Sequence, residues 1–145
     1  MFRILYVSRN LIAAPEAEAE IQRILAVARQ RNAALDVTGA LLFSEDAFAQ
    51  ALEGPMAAVT EIFDLIQLDA RHTDIVVLEA GPAPERSFAE WSMAYAGRTA
   101  DVSARYAALL GRGPGGTAGQ GVLGLLRGVV ARLATPQGTV GAAAA

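Results

Sequence analysis

Cysteine is absent from the 145 residues, which excludes a disulfide framework, thiolate chemistry and cysteine-ligated metal. Histidine occurs once, as His72, which argues against a histidine-based zinc site or a Ser-His-Asp triad. Positive charge is in short supply: the net charge of −3 lacks the electrostatic footprint of a nucleic-acid binder. No apolar run is long enough to span a bilayer. The opening MFRILYVSRN has too short a hydrophobic stretch for a signal peptide. A cytoplasmic protein with no nucleic-acid or membrane partner is therefore expected. The length suits one domain with a short appendage and its own core.

What is present alternates clearly. FRILYVS, Phe2 to Ser8, reads as a strand with Phe2, Ile4, Tyr6 and Ser8 on one face. Arg3, Leu5 and Val7 share the other, and two largely apolar faces predict a central strand covered on both sides. Pro15 followed by Glu16, Glu18 and Glu20 marks a helix start. Ile21, Ile24, Leu25 and Ala28 recur at helical spacing, and the stripe continues to Asn32. Arg29 and Arg31 occupy the last turn, as the helix dipole favours.

VTGALLFS, Val37 to Ser44, and FAQALEG, Phe48 to Gly54, read as an antiparallel hairpin joined by SEDA. Pro55 opens a second helix with Val59, Ile62, Phe63 and Ile66 on its stripe. DARHT, Asp69 to Thr73, reads as a polar loop. DIVVLE, Asp74 to Glu79, is a fourth strand, and GPAPERS a loop. WSMAYA, Trp91 to Ala96, is a fifth strand with Trp91, Met93 and Tyr95 sharing a face. The order βαββαββ is the split, ferredoxin-like pattern with one added strand. It predicts an α+β fold: a mixed five-stranded sheet with both helices on one face and a groove between them.

Beyond Gly97 the composition changes. Residues 98–134 read as two amphipathic helices, one carrying Val102, Tyr106, Leu109 and Leu110. The other carries Val122, Leu123, Leu126, Val129, Val130 and Leu133, with Arg127 and Arg132 outside the stripe. Gly111 to Gly121 reads as a flexible linker, and residues 135–145 as a disordered tail. The two stripes cover the outer face of the sheet or form an interface with a second copy or a partner protein.

Tyr6, Asn32 and Gln50 place polar groups on apolar faces. A buried amide or hydroxyl without a partner costs about 1–3 kcal/mol. These groups either satisfy one another and nearby main chain, or converge on a buried polar ligand. Spacing alone leaves both open.

Five motifs bear on that choice: Tyr6 in ILYVS, Asn32 in RNAALDVTGALLF, Gln50 in FAQALEGP, then RHTDIVVL and FAEWSMAY. In this order and at these intervals they resemble the BLUF family, blue-light sensors using FAD. NxxxxxTGxLL followed by QxLEGP is the most specific part, and the resemblance spans residues 1–97. It implies noncovalent FAD (FMN or riboflavin can replace it in a recombinant sample) with its ring between the two helices. Ile24 and Ile66 would flank the ring, and Asn32 would bond its carbonyl and imide edge. Arg71 and His72 would sit by the ring edge or phosphates. Gln50 would bridge Tyr6 and the flavin, with Trp91 and Met93 moving with the light state. Arg31 stands where some members carry Asn or His.

The residues also have plainer readings: a helix C-cap for Asn32, a solvated loop for Arg71 and His72, core packing for Trp91 and Met93. The resemblance further implies a non-enzymatic sensor acting through a homo-oligomer or an unidentified downstream protein. The competing functions are a ferredoxin-like small-molecule regulatory module without chromophore, and an acylphosphatase-like enzyme using Arg9. For the latter, SRN lacks a phosphate-cradling glycine loop.

Overall fold

In the computed structural model, residues 1–98, 104 and 118–131 are described. The chain runs β1 (Phe2–Asn10), α1 (Ala17–Ala34), β2 (Thr38–Phe43), β3 (Ala47–Gly54), α2 (Met56–Gln67), β4 (His72–Pro82), β5 (Ala94–Arg98) and α3 (Ala118–Ala131). A 3-10 turn, Ala14–Glu16, carries Pro15 into α1. The five strands form one sheet in the order β4-β1-β3-β2-β5. β1 is antiparallel to both β3 and β4, and β2 pairs with β5 in parallel. This is the expected ferredoxin-like α+β arrangement.

Alternation along β1 splits the core in two. Ile4 and Tyr6 face α1 and α2, joining Ile21, Leu25, Val59, Ile62 and Phe63. Leu5 and Val7 face the other side, with Ala49, Ala51, Phe88, Trp91 and α3's Val122, Leu123 and Leu126. Every residue of β3 is buried, so both of its faces are covered rather than only the one bearing Phe48 and Leu52.

Several boundaries differ from expectation. β1 extends to Asn10 and β4 starts at His72, because Arg9 and Asn10 pair with Thr73 and His72. The polar string DARHT is thus partly strand. β5 starts at Ala94, so Trp91 and Met93 precede it and do not share a face: Trp91 belongs to the outer core and Met93 to the inner. Helix α3 begins at Ala118, inside the stretch read as linker. At Gly119 a Cβ would lie 3.2 Å from the Leu78 carbonyl oxygen, so this glycine permits close approach of helix to sheet. The helix expected around Val102, Tyr106, Leu109 and Leu110, the rest of the linker, Arg132, Leu133 and the tail lie outside the described residues.

A charged node fastens the segment leading to Trp91. Glu53, fully buried, accepts from the main-chain N–H groups of Ser87 (2.9 Å) and Phe88 (2.6 Å), from Thr38 Oγ1 (3.1 Å) and from Arg3 Nη2 (3.4 Å). Arg127 of α3 donates to Ser87 Oγ through Nη2 at 2.6 Å. The third helix is therefore bonded to the same segment that carries Trp91 and Met93.

Candidate functional site

A cleft of about 620 Å³, counted with its open mouth, lies between α1 and α2 above the inner face of the sheet. Ile24, Val27 and Ala28 of α1 form one wall, and Leu65 and Ile66 of α2 the other. Tyr6, Gln50, Leu41 and Phe48 form the floor, while Arg31, Asp69, Arg71 and His72 bring polar groups to it. Apolar walls with a few convergent polar groups suit a flat heteroaromatic ligand.

The floor holds a relay. Register sets Tyr6 directly across from Gln50 on the neighbouring strand. The Tyr6 hydroxyl donates to Gln50 Oε1. Gln50 Nε2 donates to the Met93 thioether at 3.7 Å. Burial pushes the Tyr6 phenol above its ordinary pKa; the Asp69 carboxylate adds to this and Arg31 opposes it. The phenol is thus held neutral, as donor to the carboxamide. Phe63 and His72 pack on its ring at centroid distances of 5.5 and 6.0 Å.

Asn32 is fully buried and lies within α1, which continues to Ala34. It is not the residue that ends the helix in left-handed geometry; that is Asp36, with φ of 59°. Its Nδ2 donates to the Ser92 carbonyl at 2.9 Å. Its Oδ1 is buried without a hydrogen-bond partner among the described residues. A lone buried acceptor is costly, and this one fits an imide N–H such as the flavin ring carries. Arg31 Nε is likewise buried without an acceptor among the described residues, on a side chain that lines the cleft. A flavin ring offers both hydrogen-bond types: an imide donor and carbonyl acceptors. The residues present therefore fit that group.

Arg71 and His72 are both at the cleft, in different states. Arg71 is committed to acids: Nη2 meets Asp69 Oδ2 at 2.6 Å and Nη1 meets Glu20 Oε2 at 3.3 Å. The bond from Arg71 holds the Asp69 carboxyl below its ordinary pKa, and Asp69 in turn raises that of the guanidinium. His72 is no solvated loop residue. Its Nε2 lies 2.7 Å from the Ile66 carbonyl and its Nδ1 2.8 Å from Ser8 Oγ. The carbonyl can only accept, so in the neutral ring Nε2 carries the proton and the Ser8 hydroxyl donates to Nδ1. His72 thereby ties α2's end to β1.

Of the residues expected at the site, Tyr6, Ile24, Gln50, Ile66, Arg71 and His72 line the cleft. Met93 is reached through Gln50, whereas Asn32 is not among the residues that line the cleft and is bonded to the Ser92 carbonyl. Trp91 is on the far face of the sheet, against α3's side of the core. Two arginines that the helix dipole favours turn out to be close to the site. Arg31 lines the cleft, and Arg29, 6% exposed, donates from Nε to the Met93 carbonyl at 3.1 Å. Spacing would have found Arg29: it stands four residues after Leu25 and three before Asn32, on the buried stripe.

These features define an α+β domain of ferredoxin-like topology with an interhelical site for a flat, hydrogen-bonding ring. The family profile described as "Sensors of blue-light using FAD" matches residues 1–94. The chain is 40% identical over 85 residues to the blue light- and temperature-regulated antirepressor BluF of Escherichia coli K12, covering 59% of this chain and 21% of that protein. It is 39% identical over 80 residues to photoactivated adenylate cyclase subunit beta of Euglena longa, covering 54% of this chain and 9% of that one. The chain thus spans a small part of these relatives. Among solved structures, the dark state of BlrB, a BLUF protein, superposes with a TM-score of 0.70 at 31% identity, covering 90% of this chain and 95% of that one. The photo-activated state of BlsA gives 0.71 at 27% identity, covering 87% and 94%.

The chain belongs to the BLUF family, the flavin-based blue-light sensors. FAD is the chromophore of that family. No helix of the described residues is long and apolar enough to cross a membrane.

Proposed function

We propose that this protein reports blue light through the Tyr6–Gln50–Met93 relay, with Asn32, Ile24 and Ile66 holding the flavin ring. The observation that carries the reading is the buried phenol-to-carboxamide bond on the cleft floor, continued to a thioether. A flavin bound there supplies, under blue light, a one-electron oxidant. Tyr6 is the donor: it releases an electron, and its phenolic proton passes to Gln50 Oε1. Both return, so no net chemistry occurs. Gln50 is left rotated or tautomerised, with its donor and acceptor pattern exchanged.

The Tyr6 hydroxyl can either donate or accept, so it tolerates both states of Gln50. The Met93 thioether only accepts, and weakly. Gln50 Nε2 is therefore withdrawn from Met93 when the amide reverses. Low dielectric in the buried floor makes that exchange large enough to bias a two-state element. The segment 91–93 is that element, and α3 is bonded to Ser87 in the stretch that leads into it.

The sensor itself is non-enzymatic in this reading. Its output is an altered contact with a second copy or a downstream protein, and its compartment is the cytoplasm. Light scattering after gel filtration, in dark and light, tests the output: a light-dependent assembly is expected, and a monomer in both at high concentration contradicts it. Absorption before and after blue illumination tests the relay. A reversible red shift is expected in the unaltered protein and none in Tyr6→Phe or Gln50→Leu; a normal shift in either variant contradicts the assignment.

A further inference from the structure

A buried cation ordinarily lies against an anion, because leaving water unpaired is costly. Arg29 departs from this. It is 6% exposed, and among the described residues its hydrogen bond goes to a main-chain carbonyl, that of Met93. No carboxylate pairs with it there. A bond from a charged donor is about twice as strong as a neutral one.

The place of that bond gives it a purpose. Pairing of β5 with β2 starts at Ala94, opposite Ala40. The sheet ladder therefore does not fix Met93. Three successive carbonyls ahead of β5 are held from elsewhere. Gly39 N–H takes that of Trp91 at 3.1 Å, Asn32 Nδ2 that of Ser92 at 2.9 Å, and Arg29 Nε that of Met93 at 3.1 Å. Two of the three come from one turn of α1. At Gly39 a Cβ would come within 3.2 Å of Met93 Cε, so the fit around the thioether is close. A thioether is a weak acceptor, and its hold on Gln50 Nε2 depends on where the sulfur is kept.

We infer that Arg29 is a positioning residue of the light switch: it fixes the Met93 main chain so that the thioether meets the Gln50 amide in the dark. The inference rests on the relay proposed above. The Arg29 Nε bond goes to the Met93 carbonyl, so its action is assigned to Met93. Removing it leaves flavin content and the presence of the red shift unchanged. It slows the thermal return to the dark state, because the Met93 carbonyl is no longer recaptured.

The test is the recovery rate after a blue pulse in the flavin-loaded full chain. Arg29→Leu should bind flavin stoichiometrically, shift red, and recover about tenfold more slowly, the scale of one charge-assisted bond. Arg29→Lys, which keeps a charged donor, should restore the rate to within about threefold. In a Met93→Ala background, Arg29→Leu should change the rate by less than about twofold, since coupled residues are non-additive. An unaltered rate in Arg29→Leu, or the same slowing with and without the thioether, overturns the Arg29 assignment. Should Arg29→Leu fail to fold, Arg29→Gln carries the test in both backgrounds, and the same two outcomes decide it. Absence of any red shift in the unaltered protein would instead overturn the relay beneath it.

Discussion

The Tyr6–Gln50 bond can be weighed by removing its partners singly and together. Both side chains are buried, Tyr6 at 3% and Gln50 at 4% exposure. Tyr6→Phe deletes the donor and leaves Gln50 Oε1 without its partner; Gln50→Leu deletes the acceptor and leaves the hydroxyl without one. An orphaned buried polar group costs about 1–3 kcal/mol, so each single variant should lose that much stability. The double variant leaves no orphan at this bond and puts two apolar groups together. It should lose less than the sum of the singles by about 1–2 kcal/mol, within the range seen for residues in contact. The assay is urea unfolding in the dark at one fixed, saturating flavin concentration, because bound ligand contributes to apparent stability. Effects that add within about 0.3 kcal/mol would refute the reasoning, since groups that do not interact behave so.

Two further outcomes follow from the site. Asn32→Ala removes the lone buried acceptor and frees the Ser92 carbonyl, and should weaken flavin binding about tenfold, or 1.4 kcal/mol; a flavin-fluorescence titration with unchanged Kd contradicts this. Asp69, held below its ordinary pKa by Arg71, contributes stability that is present above the unfolded-state value of about 3.9 and is lost as pH falls through the lower folded value. Asp69→Asn should therefore flatten the acid limb of the stability profile below about pH 4, and an identical limb in unfolding experiments counts against the pairing.

Much of this architecture was legible because strand alternation and helical spacing are local. Tyr6 and Gln50 were placed correctly on inward faces, and Asn32 on the α1 stripe. What was not legible depended on distant partners. Trp91 and Met93 alternate as a strand would, yet the carbonyls around them are taken by Gly39, Asn32 and Arg29, and the two side chains turn to opposite faces. The polar letters of DARHT hide a strand start that exists because β1 continues far enough to pair with it. The glycines at 119 and 121 read as flexibility, whereas at Gly119 the missing side chain makes room for the Leu78 carbonyl. Of the two roles open to the C-terminal stripe carrying Val122, Leu123 and Leu126, covering the sheet's alanine-bearing outer face is the one the structure shows. Nothing local in the sequence reveals that Glu53 is fully buried among four donors.

The relay and the helix-held segment make one connected path from the cleft to α3. Gln50 meets Met93, the chain ahead of β5 passes Trp91 to the outer core, and Ser87 joins Arg127. The links at its two ends, Gln50 to Met93 and Arg127 to Ser87, are named bonds that can be cut separately; between them runs the chain itself. On the proposed reading, a variant at Arg127 weakens the light-dependent assembly without touching the floor of the cleft.

The most direct test is the light-minus-dark absorption spectrum of the flavin-loaded protein alongside Gln50→Leu. The account predicts flavin bands that move to longer wavelength under blue light and return in darkness, with no such movement once the carboxamide is gone. Bands that stay fixed in the unaltered protein, or that move equally in both, would contradict it.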